Sequence, residues 1–196
     1  MTHRLTLICA VRAKRPCFPG GEAADDAGPA IDVTPEWRVL QADRYWRAPD
    51  GLARRTAEWF GVDALVSDGL AEIDYGAWRG RALDDVARDE PDAFKVWLTD
   101  PTASPHGGES FSDLLSRVGG WLGANQSLSG HSVAIASASV VNACVLASLG
   151  APATAFFRID AEPLSLSKLV SDGRRWSVRS LNGRPAGRSR GDRHPV

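Results

Sequence analysis

Apolar runs of strand length alternate with helical patterns along most of this chain. Residues 5–11 form a continuous apolar run bounded by charge, which is typical of a strand buried on both faces of a parallel sheet. Residues 132–137 repeat this pattern. Further strands are predicted at residues 38–42, 156–159, 164–169 and 176–181, the last two joined by a hairpin turn at Asp172 and Gly173. Because both faces of the first run are apolar, we expect it to be the central strand.

Helical patterns separate these strands. They cover residues 52–60, 82–98, 139–149 and a segment that begins at Ser110. Gly61 and Gly150 stand where helix C-caps are expected, and Pro91 divides the second pattern into two short helices. Ser110 and Asp113 have the spacing of a capping box, and the apolar residues that follow lie on one helical face. Alternating strands and helices predict an α/β three-layer sandwich with a mostly parallel sheet flanked by helices.

Length and composition predict one domain with a short tail. A chain of 196 residues, 43% of them hydrophobic, can bury a proper core but is short for two domains. We expect the domain to occupy residues 1–183 and the Arg-, Gly- and Pro-rich residues 184–196 to be disordered. Residues 13–32 are rich in glycine and proline and are predicted to form a long loop.

Charge and cysteine usage limit the classes of partner. The formal net charge of −1 provides no overall field to attract nucleic acid or a membrane, so a small molecule or another protein is the expected partner. A homo-oligomer is left open. The three cysteines do not have metal-ligand spacing, and their odd number argues against a disulfide framework. We therefore expect a cytoplasmic protein without a metal or cofactor, and the first apolar run is too short for a signal peptide.

The most specific pattern lies between residues 70 and 110. It comprises L-x-E-x-x-Y-G-x-W-x-G at 70–80, W-x-x-D-P at 97–101 and G-G-E-S at 107–110. With the closing segments 163–169 and 173–176, these motifs resemble the histidine phosphatase superfamily, in its phosphoglycerate mutase-like branch. The resemblance covers residues 5–181 and implies the three-layer α/β fold. It also implies phosphoryl transfer through a histidine.

The residues that would perform this reaction are absent. In the family a strand-end Arg-His-Gly supplies the nucleophilic histidine, and that triplet falls here on Cys9, Ala10 and Val11. An arginine that clamps the phosphate is replaced by Leu52, and a second histidine is replaced by Ser137. Because phosphoryl transfer depends on positioning and charge stabilisation, we predict no phosphohistidine chemistry.

Several candidate site residues remain. Glu72 aligns with the carboxylate that serves as the family's proton donor, and it is the predicted catalytic residue, provided that burial raises its pKa. The predicted binding residues are Cys9, Arg12, Arg79, Ser137 and Ser139. The two serines lie between a strand and a helix, where they could bind an anion or simply cap the helix. Cys9 is either a reactive thiol or an inert core residue. His106 is expected at the surface.

Three functions are consistent with these residues. The first is a degenerate member of the family, a pseudoenzyme whose remnant pocket binds either a small anionic ligand or nothing. The second is a repurposed enzyme, an isomerase, lyase or cyclase in which Glu72 transfers a proton and Arg12 or Arg79 orients the substrate. The third is a protein-interaction module in which Leu52 and Val11 fill the old site.

Overall fold

A computed structural model describes residues 2–12, 17–20 and 41–184, which build one six-stranded sheet. The strands are β1 (His3–Cys9), β2 (Arg44–Arg47), β3 (Leu65–Val66), β4 (Gly130–Ala136), β5 (Leu166–Ser171) and β6 (Trp176–Gly183). Their order is β3-β2-β4-β1-β5-β6. The pairs from β3 to β1 are parallel, whereas β5 and β6 form an antiparallel hairpin at one edge. The prediction of a mostly parallel sheet with β1 inside it is confirmed.

Helices flank this sheet. They are α1 (Gly51–Phe60), α2 (Leu83–Asp89), α3 (Pro91–Thr99), α4 (Phe111–Asn125) and α5 (Ala138–Leu149). The predicted capping box is present, because the Ser110 side chain accepts from the Asp113 N–H and the Asp113 carboxylate accepts from the Ser110 N–H. Gly61 and Gly150 end α1 and α5 in the left-handed conformation, with φ of 64° and 62°. The helix predictions from the sequence are therefore confirmed.

One strand prediction is wrong, and another fails in the part that the structure describes. Residues 156–159 do not form a strand, since Ala153–Arg158 is a 3-10 helix. Its two aromatic rings both pack on Phe111, with centroid distances of 4.3 Å for Phe156 and 5.0 Å for Phe157. A strand would place these adjacent side chains on opposite faces and separate them.

The strand predicted at residues 38–42 is tested only at its last two residues. Residues 38–40 lie outside the described residues, and Gln41 and Ala42 belong to no strand. The strand at this place is β2, which begins only at Arg44. An arginine stands at each end of β2 and all four of its residues are half-buried, so it has no apolar run that the sequence could reveal. Most of the predicted loop at 13–32, and all of the predicted tail at 184–196 except residue 184, also lie outside the described residues.

The core joins the sheet to an aromatic cluster around Trp97 of α3. The cluster consists of five buried residues: Phe18, Tyr75, Trp78, Trp97 and Phe111. The centroid of the Phe18 ring lies 5.0–5.4 Å from those of Tyr75, Trp78 and Trp97. Such tilted and edge-on contacts are favourable beyond the area that they bury. The cluster includes residues of the first two motifs and Phe111, which directly follows the third, so it holds the motif segments close to one another.

Candidate functional site

The candidate site lies at the carboxyl ends of the parallel strands. β1 and β4 end side by side, with Cys9 opposite Ala136, and the Ala10 N–H donates to the Ala136 carbonyl at 2.7 Å. Ser137 follows β4 directly and caps α5, where its hydroxyl accepts from the Val140 N–H at 3.4 Å. In open α/β sheets, this edge is where ligands bind.

Glu72 reaches this edge from the segment before the aromatic cluster. Its Oε1 accepts from the Ile73 N–H at 2.8 Å, and the hydroxyls of Ser137 and Ser139 also hydrogen-bond to its carboxylate. Burial of the carboxylate, and to a smaller extent the charge of the nearby Asp50 carboxylate, raise the pKa of Glu72 to about 7. These hydrogen bonds lower the pKa but do not offset burial. Glu72 therefore changes charge near neutral pH.

Tyr75 extends this polar group inward. It is buried, and its hydroxyl hydrogen-bonds to Ser139, which also contacts Glu72. Burial and then the charge of Glu72 raise the pKa of Tyr75, so the phenol stays neutral. Tyr75 is part of the motif at 70–80, but the motif does not predict its contact with Ser139. That contact depends on the packing of α5 against the 70–80 segment.

Asp50 was not predicted as a site residue. It caps α1, where its Oδ1 accepts from the Ala53 N–H at 2.9 Å. Its Oδ2 is buried and has no hydrogen-bond partner. The sequence Pro49-Asp50-Gly51 before a helix is a recognisable N-cap pattern. Its proximity to Glu72 follows only from the arrangement of β2 beside β4.

Cys9 and Arg12 lie at the same edge but differ in exposure. Cys9 is 1% exposed, and its Sγ donates weakly to the Ala161 carbonyl at 3.7 Å. Burial, followed by the charge of Glu72, raises the pKa of the Cys9 thiol to about 12. The thiolate, which is the reactive form, is therefore scarce at neutral pH. Arg12 is exposed, and its charge slightly offsets the rise in the thiol pKa.

Arg79 does not join the group around Glu72. Its guanidinium pairs with Asp74, with Nη2 at 2.6 Å and Nε at 3.0 Å from the same Oδ1. The side chain is 51% exposed. Of the six predicted site residues, the structure brings Glu72, Ser137 and Ser139 together and places Arg79 in a surface ion pair.

Apolar side chains occupy the positions that the family motifs assign to catalysis. Ala10 and Val11 are buried, and the Val11 N–H donates to the Thr56 hydroxyl at 3.2 Å. Leu52 is half-buried and packs against the core, while its carbonyl accepts from the Thr56 hydroxyl at 2.7 Å. These contacts tie the end of β1 to the first turn of α1.

The expectation that His106 lies at the surface is wrong. It is 3% exposed, and its ring lies 5.7 Å from the Tyr75 ring and 5.1 Å from the Trp78 ring. The reason is a pair of backbone hydrogen bonds that draw the loop before α4 against the 74–78 segment. The Ala77 N–H donates to the His106 carbonyl at 2.9 Å, and the Glu109 N–H donates to the Asp74 carbonyl at 2.8 Å.

A small cleft lies away from this edge. It has a volume of about 50 Å³, and its lining includes Trp97, Pro101, Phe111, Thr154 and Phe157. This volume holds a few water molecules and is far below that of an ordinary ligand pocket. In the described ranges, no group of three or more His, Cys, Asp or Glu residues could hold a metal ion. No helix in those ranges is both long and apolar enough to cross a membrane.

Two relatives share moderate sequence identity with the chain. A bifunctional protein of Mycobacterium tuberculosis is 32% identical over 127 residues, which are 62% of this chain and 34% of that protein. Phosphoserine phosphatase 1 of Hydrogenobacter thermophilus is 28% identical over 133 residues, 66% of this chain and 63% of that protein. The chain thus matches about a third of the length of the first relative and under two thirds of the second.

Solved structures share the fold at lower identity. A mycobacterial glucosyl-3-phosphoglycerate phosphatase superposes with a TM-score of 0.71 at 20% identity, covering 92% of this chain and 99% of that one. The alpha-ribazole phosphatase of Shigella flexneri gives a TM-score of 0.73 at 18% identity, covering 94% and 98%. The histidine phosphatase superfamily (branch 1) profile matches residues 47–184, which is more than half of the chain. The chain therefore belongs to the histidine phosphatase superfamily.

Proposed function

We propose that this chain is a degenerate histidine phosphatase that does not transfer phosphoryl groups through a phosphohistidine. The observation that carries this proposal is the methyl side chain of Ala10 at the end of β1, where the family motif has its nucleophile. None of the three histidines in the described ranges can replace it. His3 and His131 lie at the opposite ends of β1 and β4, about 20 Å away at the rise of a strand. His106 is enclosed by the aromatic cluster.

The charge at the site supports the same conclusion. Leu52 and Ser137 are neutral where the family motifs have an arginine and a histidine. Losing one preorganised group that stabilises a transition state costs roughly 10²–10³ in rate. Such losses are not additive, but the nucleophile is missing as well. What remains at this edge is a pair of half-buried carboxylates, Asp50 and Glu72, which repel a phosphate when both are ionised.

A small anionic ligand stays a prediction for this edge of the sheet. The N-terminus of α5 favours an anion, whereas the carboxylates of Asp50 and Glu72 oppose it. Protonation of Glu72 removes one opposing charge and adds a hydrogen-bond donor. An anion that binds here should therefore bind more tightly as the pH falls through about 7.

A repurposed proton-transfer enzyme is the second candidate. It is favoured by the pKa of Glu72, about 7, because a general acid or base is most effective when its pKa lies near the working pH. Ser137, Ser139 and Tyr75 would then hold the carboxylate in place. The third candidate, an interaction module, is supported by the inward packing of Val11 and Leu52.

The first test is phosphatase activity. With p-nitrophenyl phosphate and phosphoserine as substrates, we expect hydrolysis at the rate of the buffer for the wild type and for Glu72→Gln. We also expect no acid-labile phosphoprotein after incubation with substrate. Glu58→Gln is the matched control, because Glu58 is an exposed carboxylate on α1. Robust hydrolysis that disappears in Glu72→Gln but persists in Glu58→Gln would refute the proposal.

The second test measures anion binding by isothermal titration calorimetry with inorganic sulfate, which stays a dianion between pH 8 and pH 5.5. If sulfate binds at this edge, its affinity should rise about tenfold as the pH falls over this range, since one repelling charge is lost near the ligand. In Glu72→Gln the affinity at pH 8 should already match that of the wild type at low pH. Affinity that is independent of pH in both proteins would place any bound sulfate elsewhere.

A further inference from the structure

His106 stands at the contact between two segments that position the candidate site. One segment, residues 72–78, carries Glu72 and Tyr75. The other, residues 106–109, leads into α4. They are joined by the hydrogen bonds from Ala77 N–H to His106 O and from Glu109 N–H to Asp74 O, at 2.9 and 2.8 Å. We refer to these paired segments as the loop clamp.

The imidazole of His106 takes part in the loop clamp as an acceptor. Its Nδ1 accepts from the Gly108 N–H at 3.1 Å, so this nitrogen carries no proton and the neutral ring holds its proton on Nε2. Nε2 is buried and has no hydrogen-bond partner. The rings of Tyr75 and Trp78 face the imidazole instead.

We propose that His106 is an acid-sensitive latch, which holds the loop clamp closed when neutral and opens it when protonated, releasing the segment that carries Glu72 and Tyr75. A second proton on the ring must bind at Nδ1. There it meets the Gly108 N–H, so two donors face each other and the hydrogen bond is lost. The buried cation also lacks a hydrogen-bond partner at Nε2.

The charged groups around His106 do not offset the free-energy cost of protonating its ring. Asp74 is the carboxylate that favours protonation of the ring, but it already accepts from Arg79 and from the Gly76 N–H. Glu109, on the other segment, forms an ion pair with Arg117 at 2.7 Å. Burial outweighs the attraction of Asp74, so the pKa of His106 is lowered from its ordinary value.

The backbone leaves no space in which the loop clamp could adjust. A Cβ built on Gly76 would lie 2.1 Å from the His106 carbonyl oxygen, and one on Gly108 would lie 2.1 Å from the Asp74 carbonyl oxygen. A shift of Gly108 away from a protonated ring therefore pushes against Asp74. The neighbouring hydrogen bond from Glu109 to Asp74 must lengthen or break as a result.

Long-range ¹H–¹⁵N NMR of the histidine rings, recorded with amide spectra between pH 8 and pH 4.5, tests the latch. At neutral pH we expect the His106 ring to be protonated at Nε2 alone. Its protonation should begin below the ordinary histidine range and coincide with shifts of the Ala77, Gly108 and Glu109 amides. An Nδ1-protonated ring at neutral pH, or protonation without these amide shifts, would overturn the proposal.

Variants separate His106 from other titrating groups. His106→Asn keeps an acceptor near the Gly108 N–H but does not titrate, so the acid-induced amide shifts should disappear. His131→Asn, at the opposite end of the sheet, should retain them. The same shifts in His106→Asn would assign them to another group and reject the latch. The wild-type ring spectra decide the matter even if His106→Asn fails to fold.

Discussion

Replacing Gly108 with alanine should lower the free energy of unfolding by about 3 kcal/mol, at the upper end of what overpacking costs. The added Cβ would stand 2.1 Å from the Asp74 carbonyl oxygen and 2.8 Å from the Gly76 nitrogen. Both are backbone atoms, so no side-chain rotation can relieve the clash. The two segments of the loop clamp must separate, which costs the Glu109-to-Asp74 hydrogen bond and loosens the packing of Tyr75.

Gly120→Ala is the matched control for this change. Gly120 lies inside α4, and a Cβ there meets no atom within 4 Å. Alanine in a helix interior is favoured over glycine by about 1 kcal/mol, so this variant should be slightly more stable than the wild type. Urea unfolding followed by circular dichroism measures both. Equal stability of the Gly108→Ala variant and the wild type would mean that the loop clamp is not held as closely as described.

The parts of the fold that the sequence predicts are those governed by local chemistry. Residues 5–11 are apolar on both faces because β1 is covered by helices and flanked by strands on both edges. Ser110 and Asp113 satisfy each other's backbone N–H groups, so the start of α4 can be inferred from four residues. Elements of this kind need no knowledge of the rest of the chain.

Elements that depend on distant contacts are not predictable in this way. β2 is a strand because β4 and β3 pair with it on its two edges, not because its own residues form an apolar run. The 3-10 helix at Ala153–Arg158 exists because two adjacent phenylalanines pack on the same residue of α4. In both cases, tertiary contacts outweigh the local pattern.

The candidate site divides along the same line. The replacements at Ala10, Leu52 and Ser137 can be identified from motif spacing alone. The proximity of the Glu72 and Asp50 carboxylates, by contrast, depends on how β2, β4 and the 70–80 segment meet at one edge. The burial of His106 depends on the loop clamp. Gly76 and Gly108 indicate this clamp only once their close backbone contacts are known from the structure.

The ionised carboxylate of Glu72 lowers the stability of the folded protein, and this bears on the role of the residue. The residue is half-buried, but its carboxylate is shielded from solvent beside a second carboxylate, and no cation pairs with it among the described residues. Residues that destabilise the folded state in this way are most often found at functional sites. A neutral side chain of the same shape would remove the cost. The presence of a carboxylate at position 72 therefore favours a chemical role for Glu72 over a merely structural one.

The variant Glu72→Gln should be more stable than the wild type at pH 8, by about 2 kcal/mol. The folded-state pKa of Glu72, about 7, lies above the ordinary value of 4.5, so the proton stabilises the folded protein. This stabilisation is complete below pH 4.5 and is lost as the pH rises through 7. Each pKa unit corresponds to about 1.4 kcal/mol, and partial exposure of the residue reduces the total of about 3 kcal/mol. Glutamine keeps an acceptor for the Ile73 N–H and carries no charge at any pH.

Denaturant unfolding of both proteins at pH 5 and pH 8 measures this effect. The advantage of Glu72→Gln should be small at pH 5 and reach its full size at pH 8, because only the wild type loses a proton between these values. Glu58→Gln should change stability by less than about 0.5 kcal/mol at either pH, since Glu58 is exposed. An advantage of Glu72→Gln that is equal at both pH values would arise from packing instead of ionisation. It would then leave Glu72 as an ordinary structural residue and remove the main support for proton transfer at this site.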